Sequence, residues 1–342
     1  MSADIPGIRH EAVSAWLASN VPEIQGPLQF EHIKGGRSNL TYKVTDANHQ
    51  AYILRRPPLG AVLETAHDVA REFRIMAGVG QATGDLRVPV PRTIITCDDP
   101  SVNDAPFTIV DYIDGVVLHL EADAINLPEE ERYAVGLDLI DVLARLHLIN
   151  PDDVGLGQLG RREGYIERQL RRWSRQWEAM KERELPAMDA ARDWLNANVP
   201  TPQRVSIVHG DYRAGNTIVK DGRVQAVLDW ELSTLGDPLA DVGYLLNNWA
   251  MPSEDAPWER PPTLAGGFPD RDTLIDAYAA KTGFDMSEID FYRVFAYWRF
   301  CAILEGVRLR YKQGAHGKVD IDLDALGQSV VSFADMAYEL IT

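Results

Sequence analysis

An octapeptide at positions 209–216, HGDYRAGN, constrains this 342-residue chain more than any other feature. Two short apolar runs follow it, Thr217–Val219 and Val224–Leu228, and a Lys-Asp-Gly turn joins them into a predicted β-hairpin. The second run leads into Asp229, thirteen residues after Asn216. Because a hairpin reverses the chain, we expect Asp229 to return to the octapeptide.

These residue types suit phosphoryl transfer from a metal-bound nucleotide. The acceptor hydroxyl needs a carboxylate that orients it and takes its proton, and Mg²⁺ prefers hard oxygen ligands. Aspartate followed by asparagine five residues later matches the spacing of the kinase catalytic loop. A surface loop would explain any one of these residues, but the full pattern favours the catalytic interpretation. The role of Arg213 stays open, because it could bind the transferred phosphate, a substrate acid or a structural carboxylate.

The elements predicted around the octapeptide divide the chain into two parts. The first 112 residues contain five predicted strands and an amphipathic helix from Thr65 to Val79. Residues 113–342 are mostly helical apart from the hairpin. We therefore predict an α+β fold with two lobes. The lobe at 1–112 would bind the nucleotide through a five-stranded antiparallel sheet and a helix, and the helical lobe at 113–342 would provide the catalytic and substrate-binding groups.

A glycine-containing turn in the first lobe fits phosphate binding. The turn contains Gly35, Gly36, Ser38 and Asn39 between two predicted strands, and its backbone N–H groups could approach phosphates. An isolated turn of this kind is more often an ordinary hairpin. Its position ahead of the octapeptide favours the phosphate-binding interpretation.

A cation on a strand and a glutamate on the predicted helix form a second pair of candidates. Arg55 ends the third predicted strand, and Glu72 lies on the helix. In kinases a strand lysine holds the α- and β-phosphates and pairs with a helix glutamate. Arginine can also donate to phosphates and pair with a carboxylate. The alternative is a surface ion pair, and Arg56 is the second candidate for a phosphate contact.

The charge balance argues against two classes of partner. The chain has 34 Lys and Arg residues against 51 Asp and Glu residues, a net charge of −17. Such an acidic surface repels nucleic-acid phosphates and anionic lipids. Two isolated cysteines cannot build a disulfide framework, and neither a signal peptide nor a membrane-spanning apolar run is evident. We expect a cytoplasmic protein that binds neither nucleic acid nor membrane.

Together these residues resemble the aminoglycoside phosphotransferase and choline kinase superfamily, whose fold is protein-kinase-like. The resemblance rests on HGDYRAGN and on AVLDWELSTLGDPLADVGYLL at 226–246, and it extends over nearly the whole chain. These segments are most similar to a branch that includes stand-alone bacterial phosphotransferases and the kinase-like domain fused to some acyl-CoA dehydrogenases. The segments LRRPPLG, AHDVAREF and RQLRRWSRQW are similar to that branch as well.

The resemblance implies a role for each matching residue of the active site. Asp211 would be the catalytic base, and Asn216 and Asp229 would bind Mg²⁺. Arg55 would hold the ATP phosphates while paired with Glu72, although lysine is usual at this position in the superfamily.

The resemblance also implies roles for residues outside the octapeptide. The backbone of Asp111 and Ile113 would receive the adenine ring. Asp237 and Asp241 would support the catalytic loop through hydrogen bonds to its backbone.

The resulting hypothesis is an ATP- and Mg²⁺-dependent kinase, monomeric or dimeric, that phosphorylates a hydroxyl group of a small molecule. Six arginines from Arg161 to Arg175 form either a solvated helix face or an anchor for an anionic substrate. We favour a hydroxyacyl-CoA or a hydroxy acid as acceptor, with a functional link to an acyl-CoA dehydrogenase. The alternatives are an aminoglycoside kinase and a regulatory pseudokinase that binds nucleotide, which the arginine at position 55 motivates.

Overall fold

The computed structural model describes residues 5–33, 39–59, 68–254, 256–257, 259–314 and 322–342. The chain divides into two compact units: the first contains Met1–Gly115 and Gln225–Leu232, and the second contains Val116–Val224 and Ser233–Thr342. The first unit therefore includes a short segment from the middle of the chain, which a single boundary at residue 112 does not anticipate. Asp229 belongs to this segment, whereas Asp211 and Asn216 belong to the second unit.

The first unit is built on one antiparallel sheet. Its strands are β1 (Gln29–Ile33), β2 (Leu40–Thr45), β3 (Ala51–Arg56), β4 (Thr93–Cys97) and β5 (Phe107–Asp111), and its helices are α1 (His10–Asn20), α2 (Val69–Val79) and α3 (Pro100–Asn103). The strand order is β1-β2-β3-β5-β4, and every neighbouring pair is antiparallel. This sheet confirms the five strands predicted from the sequence.

Side-chain alternation along the strands builds the core of this unit. Tyr42 and Val44 of β2 and Leu54 of β3 are buried in a cluster that includes residues of α1 and β5. Burying a large apolar side chain of this kind contributes about 1.5–3 kcal/mol. Because neighbouring residues of a strand face opposite sides, Arg55 and Arg56 at the end of β3 point in opposite directions.

Helix α2 begins at Val69 in the described part of the chain. Asp68 precedes the first helical residue, Val69, and its side chain accepts the backbone N–H of Arg71 at 2.8 Å. This contact caps the helix and satisfies a donor of its first turn. The predicted start at Thr65 lies outside the described residues. The helix packs on β4 and β5, and this packing brings its buried face to the sheet.

The second unit is mainly helical. Its helices are α4 (Glu121–Ala124), α5 (Glu129–Leu148), α6 (Tyr165–Met180), α7 (Pro186–Ala197), α8 (Leu239–Asn247), α9 (Arg271–Thr282), α10 (Ile289–Lys312) and α11 (Leu323–Glu339). Its strands are β6 (Val116–Val117), β7 (Ser206–Val208), β8 (Thr217–Lys220), β9 (Arg223–Val227), which ends in the first unit, and β10 (Thr234–Gly236). Strands β8 and β9 confirm the predicted hairpin. No helix in the described part of the chain is both long and apolar enough to cross a membrane.

Two helices of the second unit approach each other closely at a glycine. A Cβ atom on Gly243 of α8 would lie 2.6 Å from the carbonyl carbon of Tyr292 on α10, so a larger residue would force the helices apart. Further along the same pair of helices, the Arg299 guanidinium lies 5.4 Å from the centre of the Tyr244 ring. The α8–α10 contact therefore positions two polar side chains that border the octapeptide.

Candidate active site

The octapeptide forms the loop between β7 and β8, and its asparagine orients its aspartate. The Asn216 amide nitrogen donates to the backbone carbonyl of Asp211 and to Asp211 Oδ2, each at 2.8 Å. The Tyr244 hydroxyl donates to the other carboxylate oxygen, Oδ1, at 2.5 Å. Each oxygen keeps a lone pair for another donor. The carboxylate is therefore fixed in orientation and can still accept a hydrogen bond from a hydroxyl group.

Arg213 extends past the same carboxylate. Its Nε lies 3.7 Å from Asp211 Oδ1, which is too far for a hydrogen bond. Its Nη1 packs so closely on Gly215 that a Cβ atom there would lie 2.4 Å from it, and 3.0 Å from His119 Nδ1. Among the described residues, Asp211 is the only carboxylate within ion-pair distance of Arg213. If Arg213 has a purely structural role, Asp211 is therefore the described carboxylate with which it would pair.

Asp241, in the first turn of α8, holds the loop through its backbone. Asp241 Oδ2 accepts the N–H of His209 at 2.6 Å, and Oδ1 accepts the N–H of Gly210 at 2.8 Å. Gly210 has a φ of 86°, in the left-handed region that favours glycine. Burial acts to raise the pKa of the Asp241 carboxyl, but the hydrogen bond from His147 and the loop N–H group hold that pKa below its ordinary value. This arrangement confirms the support predicted for Asp241.

His147 in turn holds Asp241 from α5. The imidazole is fully buried, with Nε2 at 3.2 Å from Asp241 Oδ2 and Nδ1 at 2.7 Å from the Tyr278 hydroxyl. Three elements thus converge on the carboxylate that orders the catalytic loop. Because the ring is enclosed and both of its nitrogens have partners, His147 has a structural role.

The corresponding prediction for Asp237 is wrong. Its carboxylate accepts the backbone N–H of Leu239 at 3.1 Å and the hydroxyl of Tyr292 at 2.7 Å. The side chain therefore satisfies the start of α8 and ties it to α10, and it does not bond to the catalytic loop. The tight turn before α8 directs this carboxylate to the helix N-terminus, where backbone N–H groups need acceptors.

In the first unit, Glu72 is the centre of a buried polar cluster. Glu72 is 2% exposed, and its Oε2 lies 2.7 Å from Arg55 Nη1. The Asn39 side chain donates to Glu72 Oε1 at 2.8 Å. The structure therefore contains the predicted pair of Arg55 and Glu72 and adds Asn39 to it. Within the described chain, the buried Nε of Arg55 has no hydrogen-bond partner.

Glu72 should make the stability of the protein depend on pH. Burial raises the pKa of its carboxyl from 4.5 to about 7, against the opposing effect of the Arg55 charge. The folded state therefore binds an additional proton between these two values, so the contribution of Glu72 to the free energy of unfolding should fall as pH rises through this window and be constant above it. Urea unfolding of Glu72→Gln should remove this dependence: the difference from wild type should change on the order of 3 kcal/mol between about pH 5 and 8.

A matched control for this change is Glu130→Gln, on an exposed residue in the first turn of α5. Its difference from wild type should not vary over the same range. A difference between wild type and Glu72→Gln that is constant with pH would contradict the account of Glu72.

Arg56, the second phosphate candidate, lies in the core of the first unit. It is 5% exposed, and its Nη1 donates to the carbonyl of Gly7 at 2.6 Å and to that of Asn103 at 3.3 Å. Its charge is therefore used to satisfy backbone carbonyls. Of the two neighbouring arginines, Arg55 is the one that faces Glu72.

The residues predicted to receive adenine follow the end of β5. The Asp111 carboxylate pairs with Arg92 Nε at 2.9 Å, and the Asp111 N–H donates to the Arg92 carbonyl at 2.9 Å. The backbone N–H of Ile113 makes no hydrogen bond to any described residue. Ile113 is therefore the available backbone donor at this position. The predicted phosphate-binding residues Gly35, Gly36 and Ser38 lie outside the described residues.

Asp229 follows β9 in an uncommon backbone conformation. Its φ of 63° lies in the left-handed region, and its Oδ1 is buried without a hydrogen-bond partner in the described part of the chain. A buried carboxylate oxygen without a donor is costly, and a cation would compensate for the loss of water. The pKa rise of Glu72, to which Asp229 contributes, indicates the same excess of negative charge.

Asn216 also fits a metal ligand. Its amide nitrogen is engaged by Asp211, so its amide oxygen is left without a hydrogen bond among the described residues. The described chain contains no group of three or more His, Cys, Asp or Glu residues that could hold a metal. Mg²⁺ does not need such a group, because it keeps several waters and binds through one or two carboxylates and substrate phosphates. The carboxylate of Asp229 and the amide oxygen of Asn216 are each of a type that Mg²⁺ binds.

Tyr244 is the site residue that the sequence analysis missed. It lies three positions after Asp241 on α8, so the two side chains share one face of the helix. Asp241 contacts the backbone of the octapeptide, and Tyr244 contacts its aspartate. The helical spacing from Asp241 was the signal that could have indicated Tyr244.

Comparison with known proteins gives the class of this chain. The sequence model of the family described as "Phosphotransferase enzyme family" matches residues 10–292. The chain therefore belongs to the phosphotransferase enzyme family. Two relatives are "Acyl-CoA dehydrogenase family member 10" of Mus musculus, 34% identical, and "Acyl-CoA dehydrogenase family member 11" of Rattus norvegicus, 30% identical, each over 92% of this chain. The aligned part is 29% and 41% of these relatives, so the chain spans less than half their length.

Solved structures agree on the fold. A "putative aminoglycoside phosphotransferase" from Ralstonia eutropha JMP134 is 31% identical with a TM-score of 0.82, covering 96% of this chain and 97% of that one. A thermostable mutant of aminoglycoside phosphotransferase APH(4)-Ia, in a ternary complex with AMP-PNP and hygromycin B, is 16% identical with a TM-score of 0.63, covering 97% of this chain and 99% of that one. These similarities confirm the predicted protein-kinase-like fold class.

Proposed function

We propose that this protein is a kinase that transfers the γ-phosphate of ATP to a hydroxyl group of a small molecule, with Mg²⁺ as its metal. The observation that carries this proposal is the oriented carboxylate of Asp211, whose two oxygens are held by Asn216 and Tyr244. Membership of the phosphotransferase family supports the reaction class. The AMP-PNP complex of APH(4)-Ia supports an adenine nucleotide as donor.

In this mechanism Asp211 is the general base. Its carboxylate accepts the proton of the acceptor hydroxyl as the hydroxyl oxygen forms a bond to the γ-phosphorus. The bond from the γ-phosphorus to the oxygen that bridges to the β-phosphate breaks, and ADP leaves with that electron pair. Arg213, whose guanidinium has no close carboxylate other than Asp211 in the described chain, stabilises the negative charge of the transferred group.

The first unit would supply the contacts to the nucleotide. Arg55 binds the α- and β-phosphates while Glu72 holds it from the opposite side, and the Asn39 side chain orients Glu72. The remaining contacts are assigned to the backbone of Gly35, Gly36, Ser38, Asn39, Asp111 and Ile113. An arginine at position 55 can perform the role usual for lysine, because its Nη1 forms an ion pair with Glu72 and the guanidinium has other donors for a phosphate.

Asn216 and Asp229 would hold Mg²⁺, which when bound neutralises charge on the phosphates.

Asp229→Asn keeps the size of the side chain and tolerates the left-handed backbone, but it removes the negative charge. We expect the Mg²⁺ concentration that gives half-maximal ADP release to rise about 10-fold or more. The matched control is Asp221→Asn, an exposed residue of the same hairpin that also has a positive φ of 51°. An unchanged Mg²⁺ requirement in Asp229→Asn would exclude Asp229 as a ligand.

For the acceptor we propose a hydroxy acid or a hydroxyacyl-CoA. The names of the dehydrogenase relatives point to acyl-CoA chemistry. On α6, Arg171, Arg172 and Arg175 are exposed and carry positive charge that suits an anionic compound. The second candidate is an aminoglycoside, which the name of the Ralstonia structure favours. A functional link to an acyl-CoA dehydrogenase and a cytoplasmic location belong to the same proposal.

A panel of acceptors tests this function. ADP release from ATP is measured with hydroxyacyl-CoA esters, free hydroxy acids, choline-like alcohols and aminoglycosides. Each acceptor is assayed with and without Mg²⁺. The proposal predicts release that requires Mg²⁺ and is stimulated by the acidic acceptors. Stimulation by aminoglycosides alone would assign the second candidate, and Mg-ATP binding without stimulated release by any acceptor would indicate a pseudokinase.

A further inference from the structure

Arg299 of α10 has a positive charge that the described chain does not neutralise. Its Nη2 donates to the carbonyl of Gly210 at 3.1 Å, next to Asp211 in the loop. Its Nε is buried and has no hydrogen-bond partner, and no described carboxylate forms an ion pair with it. The guanidinium also lies near the ring of Tyr244, whose hydroxyl bonds to Asp211. An unpaired cation is therefore adjacent to the proposed base.

Arg168 of α6 is a second cation of this kind. It is half-buried, and its Nη1 is buried without a hydrogen-bond partner in the described residues. Its Nη2 donates to the backbone carbonyl of Arg161 at 2.8 Å, and no described carboxylate pairs with it. Burial raises the pKa of the Tyr165 hydroxyl to about 12, and the charges of Arg299 and Arg168 both oppose this rise. The two guanidiniums therefore act on the same buried ring.

Most other half-buried arginines of this unit have carboxylate partners, whereas Arg132 and Arg204 donate to backbone carbonyls and leave no buried nitrogen without a partner among the described residues. Ion pairs to Asp or Glu are made by Arg145, Arg183, Arg192, Arg271, Arg293 and Arg308. Removing a charge from water is costly unless a partner compensates for it. In a chain with a net charge of −17, carboxylates to pair with these two residues are abundant. Arg168 and Arg299 each lack a carboxylate partner and also keep a buried nitrogen without a hydrogen-bond partner in the described chain, which favours a compensating anion from outside the chain.

We propose that Arg299 and Arg168 bind an anionic group of the acceptor, so that this kinase acts on acidic hydroxy compounds. The inference rests on the proposed function and adds the residues that hold the anionic group of its acceptor. The anionic group is a carboxylate of a hydroxy acid or a phosphate of a CoA thioester, since a guanidinium forms paired hydrogen bonds with either. A polycationic aminoglycoside would be repelled from the same position.

The test compares acceptors that differ only in the anionic group. Hydroxyhexanoate is paired with hydroxyhexanamide, which isolates a carboxylate, and hydroxyhexanoyl-CoA is paired with hydroxyhexanoyl-pantetheine, which isolates the CoA phosphates. The variants are Arg299→Gln and Arg168→Gln, and glutamine at 299 keeps a donor for the Gly210 carbonyl. Arg310→Gln is the control, because it removes the same charge from an exposed position of α10, the helix that contains Arg299.

The proposal predicts that wild type prefers the anionic member of one pair. Arg299→Gln and Arg168→Gln should lower kcat/KM for that member by about 10–100-fold, mainly through KM, and change the neutral member by less than about threefold. Arg310→Gln should change neither. Equal losses on the anionic and neutral members would mean that the arginines only support the loop and would overturn the proposal. Wild type without a preference for either anionic member would overturn it as well.

A binding measurement separates this inference from the proposed function. Calorimetry with hydroxyhexanoate and with CoA is made on the ADP-bound wild type and on Arg299→Gln. Binding that is lost in Arg299→Gln, without phosphate transfer to any acceptor, would retain the anion site and reject the kinase. Phosphate transfer to neutral acceptors, with no binding of either anionic probe, would retain the kinase and reject the anion site.

Discussion

An Asp211→Asn variant should lose about 10²–10⁴-fold in kcat, the usual contribution of a general base. The affinity for Mg-ATP should stay within about threefold of wild type, because the change removes a proton acceptor and leaves the nucleotide contacts in place. Asparagine has the size of aspartate, and its amide oxygen can accept from Asn216 while its NH2 group donates to the Tyr244 hydroxyl oxygen, so the loop should keep its conformation. Turnover is measured by coupled ADP release at saturating acceptor, and Mg-ATP affinity by calorimetry.

The control for this variant is Asp276→Asn, which makes the same change at an exposed position of α9. Its kcat should equal that of wild type. An Asp211→Asn variant with unchanged kcat would show that Asp211 is not the base. A parallel loss of Mg-ATP binding would assign the residue to nucleotide binding.

The second large effect is expected on stability. Asp241→Ala should lower the free energy of unfolding on the order of 3–5 kcal/mol. The substitution leaves the buried N–H groups of His209 and Gly210 without their acceptor and removes the partner of His147 Nε2. An unsatisfied buried donor costs about 1–3 kcal/mol, so the three losses together account for an effect of this size.

Urea unfolding followed by circular dichroism measures this change. Asp276→Ala, at the exposed position on α9, should shift the free energy by less than about 0.5 kcal/mol. If Asp241→Ala unfolds within about 1 kcal/mol of wild type, the catalytic loop does not depend on this carboxylate.

Local pattern was sufficient to predict the long elements of the fold. Strands β2 and β3 alternate buried and less buried residues, and α2 has a period of three to four, so each pattern indicates its element directly. Strands β6, β7 and β10 were missed because they contain two or three residues, too few for any period to appear. Their existence depends on partners that lie far away in the sequence.

The sequence predicted which residues belong to the candidate site better than it predicted which atoms they contact. The octapeptide indicated Asp211 and Asn216, and the structure joins them by a hydrogen bond. Asp237 and Asp241 look equivalent in the sequence, but only Asp241 bonds to the loop, because side-chain direction at a helix start depends on the turn before it. The assignments of Asp229 to magnesium and of Arg55 to phosphate remain predictions.

The direction of the two arginines at the end of β3 illustrates the same limit. Both residues are cations at one strand end, and the sequence favoured Arg55 from its place in a kinase-like arrangement of strand and helix. Alternation settles their directions once the register of β3 is known, because Arg56 then lies with Leu54 on the buried face. A register is set by pairing between strands, which a single sequence does not contain.

The central claim is that this chain transfers the γ-phosphoryl group of ATP to a hydroxyl group of a small molecule. The most direct measurement uses ATP labelled with ¹⁸O in the γ-phosphate, incubated with Mg²⁺, the protein and the acidic acceptors, followed by mass spectrometry of the acceptor. The account predicts an acceptor that gains one labelled phosphoryl group with wild type and gains none over the same time with Asp211→Asn. Labelled phosphate found only as free inorganic phosphate, with every acceptor unchanged, would contradict it.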